Sequence, residues 1–146
     1  MKRLLLSLMV FAFTIAFSEP SVIDAKAFIQ SIQGQYNIEL FGGEKPVNPE
    51  IANVADSDTG ADLAMPYCPS SSGSCDPGYL TFKYSDTVVT REVSGNMIVF
   101  AIKVTESGNV ARYQWEQLPT KSRFLNFQYK FESGAVGTLE HVLIKR

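Results

Sequence analysis

Three serine–glycine pairs divide the C-terminal half of this chain at regular intervals. Their glycines lie at positions 95, 108 and 134, and the turn-like cluster 119–122 lies close to the place that completes a 13-residue spacing. Glycine adopts the positive φ angles that tight β-turns require. Strands of about eight or nine residues joined by such turns would produce this spacing. The sequence therefore predicts an antiparallel β-meander.

Alternating apolar and polar residues indicate where the strands lie. We predict strands at about 35–40, 79–84, 87–93, 97–105, 109–117, 123–131 and 135–145, with a short hairpin formed by 51–55 and 61–65. Tyr113 and Trp115 share one face of their strand, and Leu125 shares a face with Phe127 and Tyr129. Alternation of this kind is typical of a sheet with one buried face.

A short helix precedes the first strand of the meander. The segment 21–24 has the spacing of a capping box, and Gly34 is suited to end the helix. Between them an apolar stripe repeats at helical spacing, formed by Ala25, Phe28, Ile29 and Ile32. A helix this short is not stable alone, so we expect its stripe to pack on another apolar surface.

These elements predict an all-β fold, an antiparallel up-and-down β-barrel of about eight strands with a short N-terminal α-helix. Closing a meander into a barrel removes its exposed edges. A two-layer sandwich is the alternative, although sandwiches usually need longer crossing connections. Residues 19–146 have the length of a single domain.

Residues 1–18 have the features of a secretory signal peptide. Lys2 and Arg3 precede an almost wholly apolar run, and small residues at 16 and 18 predict cleavage after Ser18. A membrane anchor is the alternative, but the run is shorter than the ~20 residues of a spanning helix. We therefore expect a secreted or periplasmic protein with no membrane span.

Charge and cysteine content narrow the partners of the exported chain. Without Lys2 and Arg3 it has 11 basic and 15 acidic residues, dispersed along the sequence, which disfavours nucleic acid as a partner. Cys68 and Cys75 are its only cysteines. In an oxidising compartment they favour a disulfide, which would stabilise the fold by at most about 2.5 kcal/mol. A two-cysteine metal site is the alternative, but it lacks further Cys or His ligands nearby.

The sequence offers little for catalysis or metal binding. Asp56, Asp58 and Asp62 resemble the start of a calcium loop, but the terminal glutamate of such a loop is missing. His141 is the only histidine, and no serine lies in a nucleophile elbow. We expect no enzyme, no cofactor and no metal, with His141 serving as a hydrogen-bonded residue of the interior or rim.

The opening of the mature chain resembles the lipocalins of the calycin superfamily. That family has a short helix running into Gly-x-Trp on the first strand of an eight-stranded meander, and Gly34-Gln35-Tyr36 is similar, with tyrosine in place of tryptophan. The resemblance implies a barrel that binds a small apolar ligand, with Arg123 in the place of the family's late arginine, which packs over the tryptophan. The layout is also similar to a bacterial family of small barrel inhibitors of secreted proteases, which have one disulfide and an extended N-terminal arm.

Two functions follow as expectations. The first is binding of a small hydrophobic molecule inside the barrel, with candidate contacts at Tyr36, Tyr113, Trp115, Phe127, Tyr129 and His141. The same aromatic residues are equally typical of a packed core. The second is an interaction module, such as an inhibitor of a secreted enzyme, working as a monomer or dimer through its loops or N-terminal arm. A hollow interior would favour the first function and a filled interior the second.

Overall fold

The computed structural model describes residues 19–42, 44–46, 50–65, 79–128 and 139–146. Within these ranges it contains one helix and ten strands. The helix α1 spans Ala25–Ile32. The strands are β1 Ser21–Ile23, β2 Gly34–Phe41, β3 Ile51–Asp56, β4 Gly60–Ala64, β5 Tyr79–Lys83, β6 Thr87–Ser94, β7 Met97–Glu106, β8 Asn109–Gln117, β9 Ser122–Gln128 and β10 Leu139–Lys145.

The start of the helix differs from the predicted capping box. Asp24 is the N-cap, and its carboxylate accepts a hydrogen bond of 2.8 Å from the backbone N–H of Ala27. Ser21 lies outside the helix, because residues 21–23 are extended and pair with β6 as the strand β1. Among the described residues, no helix has the length and apolar character needed to cross a membrane.

Two of the three serine–glycine turns are confirmed as tight β-hairpin connections. Gly95 has a φ of +61° between β6 and β7. Between β7 and β8, Ser107 and Gly108 both have positive φ angles, +50° and +79°, as a type I′ turn requires. The third turn, at Gly134, lies outside the described residues. The spacing that predicted the meander therefore reflects real hairpins at these two positions.

All ten strands join one antiparallel sheet, but the sheet is not the closed barrel of about eight strands that the sequence predicts. The strand order is β1-β6-β7-β8-β9-β10-β2-β3-β4-β5. Following the antiparallel pairs around this order gives β5 and β6 the same direction. An antiparallel ladder between them is thereby excluded, and the described residues contain no pairing between these two strands. The sheet stays open at this seam.

The seam is nevertheless narrow at one point, because β5 and β6 are consecutive in the chain. A single 3-10 turn, Tyr84–Asp86, separates them, and the hydroxyl of Thr87 donates a 2.7 Å hydrogen bond to the carbonyl oxygen of Lys83. A chain crossing from Lys83 to Thr87 spans about 14 Å at most. The nine strands from β6 to β5 laid flat would be about 40 Å wide. The sheet must therefore curl until its two ends meet near this turn.

Helix α1 packs against the concave side of the curled sheet. Its buried residues are the predicted stripe of Ala25, Phe28, Ile29 and Ile32. The ring of Phe28 lies 4.8 Å from the ring of Phe100 on β7, measured between centroids. The hydroxyl of Tyr36 on β2 donates a hydrogen bond to the carbonyl oxygen of Ile32 at the end of the helix. The helix thus contributes to the same core as the strands, and the expectation that its stripe packs on an apolar surface is confirmed.

Candidate functional site

Five buried rings lie together inside the curled sheet, and we call Tyr36, Tyr113, Trp115, Phe124 and His141 the aromatic cluster. Tyr36 meets Trp115 edge to face at 5.4 Å between ring centroids. Phe124 is stacked with Tyr113 at 5.7 Å and with His141 at 6.3 Å, and it lies 6.3 Å from Trp115. Four of the six residues that the sequence named are therefore in one place.

The register of three neighbouring strands creates this arrangement. Phe124 on β9 is directly opposite Trp115 on β8 and directly opposite His141 on β10. Residues paired in this way point to the same face of an antiparallel sheet. The bare alternation of β9 drew attention to Leu125 and its apolar partners, yet Phe124 is the buried residue and Leu125 is half-buried on the other face. The turn at 118–121 would have identified Phe124. Gln117 and Ser122 pair on either side of this turn, so two residues further along each strand Trp115 is opposite Phe124.

Several predicted positions cannot be placed relative to the cluster. Phe127 belongs to β9, but its side chain lies outside the described residues, as does the whole of Tyr129. Cys68 and Cys75 also lie outside them, and so do residues 1–18. The predicted disulfide and signal peptide therefore stay predictions.

Burial shifts the pKa of two residues of the cluster, His141 and Tyr36, and a third, Trp115, has a buried N–H group. Burial lowers the pKa of His141 to about 4, so the imidazole is neutral at pH 7. Burial raises the pKa of Tyr36 to about 12, and its hydroxyl is used by the bond to the end of α1. Trp115 is 0% exposed, and its indole N–H finds no acceptor among the described residues.

Two charged side chains near the cluster, Glu116 and Arg123, lie on the other face of the sheet. Glu116 follows Trp115 on β8, and alternation turns its side chain to the outer face. Arg123 on β9 is directly opposite Glu116. Its Nε donates a 2.6 Å hydrogen bond to the carboxylate of Glu116, and its Nη1 donates one of 3.3 Å to Glu140. Arg123 therefore does not occupy the place over Tyr36 that the lipocalin resemblance implies. The ammonium of Lys145 lies 6.0 Å from the centroid of the Tyr36 ring instead.

Two small cavities lie near the aromatic cluster, and Tyr36 is the only cluster residue that lines either of them. One of about 140 Å³ is at the end of α1 and is lined by residues that include Tyr36, Lys121 and Lys145. The other, of about 230 Å³, is on the outer face between Glu116, Arg123 and apolar side chains that include Val142. The first cavity has polar side chains beside Tyr36, and the Glu116–Arg123 ion pair forms part of the lining of the second.

The aspartates that resemble a calcium loop have separate partners. Asp58 faces the ammonium of Lys26 at 3.8 Å, Asp56 accepts a 3.4 Å hydrogen bond from Gln30, and Asp62 accepts one of 2.7 Å from Thr81. No group of three or more metal-binding side chains is formed by the part of the chain that the structure describes. These carboxylates therefore contact helix α1 and strand β5 separately and do not converge on one point.

Comparison with known proteins found no matching family model, no matching curated protein and no matching solved structure. The resemblance to lipocalins thus stays a prediction.

Proposed function

We propose that this protein binds a small apolar molecule at the aromatic cluster inside its curled sheet. The observation that carries the proposal is the convergence of five rings from β2, β8, β9 and β10, in which Phe124 contacts three of the others and Tyr36 contacts Trp115. Aromatic side chains in such a cluster offer a large apolar contact area with a few oriented polar tips, which is the usual composition of small-molecule sites. The imidazole of His141 is neutral at pH 7 and adds no charge to this environment.

If β5 and β6 act as one interrupted strand, the curled sheet would enclose a barrel-like interior. They run in the same direction and are separated only by the turn Tyr84–Asp86. Counted as one, they would form with β2–β4 and β7–β10 a wall of eight strands, interrupted at the seam. An eight-stranded wall of this kind has room for side chains or for one small ligand. The seam and the helix α1 beside it are the proposed route of entry.

The proposal places the protein outside the cytoplasm on the strength of its sequence. Cleavage after Ser18 would release residues 19–146 into a secreted or periplasmic location. There Cys68 and Cys75 would form their disulfide. Neither step is needed for the chemistry of the aromatic cluster.

Because Trp115 is the only tryptophan in the chain, its fluorescence reports directly on the cluster. We expect the neutral probe N-phenyl-1-naphthylamine to bind saturably and to quench Trp115 by energy transfer. Phe124→Leu should weaken this binding by about tenfold, since the central ring is lost. Val88→Ala, at a side chain that is 50% exposed, is the matched control and should leave binding unchanged. Folded wild-type protein that takes up no probe would contradict the proposal.

The alternative function, binding to a secreted protein, is favoured by one specific observation. Strand β1 is an edge strand of three residues, and Val22 in it is 74% exposed. Such an edge offers unpaired backbone groups to a strand of another protein. If this function holds, the protein should inhibit at least one enzyme in a panel of secreted proteases, and Val22→Asp should abolish the inhibition. Val88→Asp should not, and equal loss in both variants, or no inhibition by the wild type, would exclude this use of β1.

A further inference from the structure

We propose that the ligand of the aromatic cluster is an uncharged molecule whose hydrogen-bond acceptor meets the indole N–H of Trp115. This inference rests on the proposed function and adds the chemical class of the ligand to it. A carbonyl or ether oxygen of an otherwise apolar molecule would accept this hydrogen bond.

The indole nitrogen of Trp115 is a buried donor without an acceptor. The indole N–H can only donate a hydrogen bond, so its partner must offer a lone pair on oxygen or nitrogen. The side chain is 0% exposed, and none of the described residues accepts from it. Buried donors are nearly always paired, and an unpaired one is unfavourable enough to need an explanation. A bound molecule with an acceptor atom supplies that explanation.

The position of the indole would bring it into contact with a ligand that enters the cluster. Trp115 lies between Tyr36, which meets it edge to face, and Phe124, the central ring. A molecule that contacts these rings would therefore lie within reach of the indole edge. The hydroxyl of Tyr36 is already used by its bond to Ile32, which leaves the Trp115 N–H as the open donor.

The distribution of charge argues against an ionised ligand. Among the described residues that are buried, Glu116 is the only Asp, Glu, Lys or Arg, and it is turned to the outer face and paired with Arg123. No buried lysine or arginine is present in the described ranges to neutralise a carboxylate or phosphate, and Lys145, the cation beside Tyr36, is exposed to solvent. An ion that enters such an interior without a counter-charge loses its hydration and binds poorly.

A pair of matched naphthalenes tests the hydrogen bond. In 2-acetylnaphthalene the ketone oxygen is the acceptor, and in 2-isopropenylnaphthalene a CH₂ group replaces that oxygen with almost the same shape. Their affinities can be measured by displacement of N-phenyl-1-naphthylamine, excited directly so that tryptophan is not needed. We expect Trp115→Phe to weaken the ketone by about tenfold and the alkene by less than about twofold. The anion 2-naphthoate should bind wild type at least about tenfold more weakly than the ketone.

A second measurement avoids any substitution in the core. Because the chain has one tryptophan, ¹⁵N-labelled protein gives a single indole N–H signal. The ketone should move this proton signal downfield as the hydrogen bond forms, and the alkene should not.

The outcomes separate this inference from the function on which it rests. If both naphthalenes displace the probe but behave alike in affinity and in the indole signal, a buried water or a protein group already serves as the acceptor, and the inference is wrong while the function stands. If the carboxylate binds as tightly as the ketone, the assignment of an uncharged ligand is wrong. If no probe or naphthalene binds the folded protein, the proposed function fails as well.

Discussion

Lowering the pH from 7 to about 4.5 should reduce the free energy of unfolding by roughly 2 to 3 kcal/mol through His141 alone. The pKa of this imidazole is about 4 in the folded protein, because of its burial, against 6.5 when it is exposed. Between these two values the unfolded chain takes up a proton that the folded protein does not. The stabilising contribution is therefore complete above pH 6.5 and is lost as the pH falls toward 4.

Urea denaturation followed by Trp115 fluorescence at a series of pH values would measure this effect. His141→Gln is the control, since glutamine has similar polarity and does not titrate. Aspartates and glutamates titrate in both proteins at the acid end, so the difference between their two pH profiles isolates the histidine. Parallel profiles between pH 7 and 4.5 would mean that His141 is solvated or protonated in the folded state, contrary to its position against Phe124.

Local sequence patterns were sufficient for most of the strands. β8 occupies 109–117 as predicted, and β6 and β7 each extend one residue beyond the prediction. These strands follow from hydrophobic alternation and from glycines with positive φ, which depend on neighbours a few residues apart. The hairpin formed by β3 and β4 was found in the same way, around the turn at 57–59.

The opening of the sheet could not be predicted from such patterns. Whether β5 pairs with β6 depends on the direction in which each strand enters the sheet, and the short turn at 84–86 leaves both running the same way. The strand β1 was missed for a related reason, because Ser21–Ile23 is extended only through its pairing with β6, more than 60 residues away. Long-range pairing of this kind overrides a local preference for a helix start.

The candidate site was predictable in its residue types and less so in its details. Tyr113 and Trp115 were identified because two aromatic residues on one face of a strand point to a core or a cavity. Phe124 was missed because the apolar residues Leu125, Phe127 and Tyr129 share the opposite face of the predicted strand and made that face the expected buried one. The cation near Tyr36 is Lys145, which β10 brings beside β2 at the opposite end of the chain. Register across strands supplies these contacts, and it cannot be read from a single strand.

Replacing Phe28 by alanine should destabilise the protein by about 3 to 5 kcal/mol. The ring is almost fully buried and packs against Phe100, so its removal leaves a cavity where α1 joins the sheet. The loss cannot be attributed to the helix itself, because alanine favours helix formation more than phenylalanine does.

Gln30→Ala provides the matched control, because Gln30 is exposed on the same helix and makes only a 3.4 Å hydrogen bond to Asp56. Its expected effect is below about 0.5 kcal/mol. Chemical denaturation of both variants would measure the difference, and Trp115 emission in the folded Phe28→Ala protein should shift to longer wavelength if the helix loosens. Equal stability of the two variants would mean that α1 is not anchored in the core. The helix would then be free to leave the concave side of the sheet, and the aromatic cluster would be open to ligands at the end where α1 now covers it.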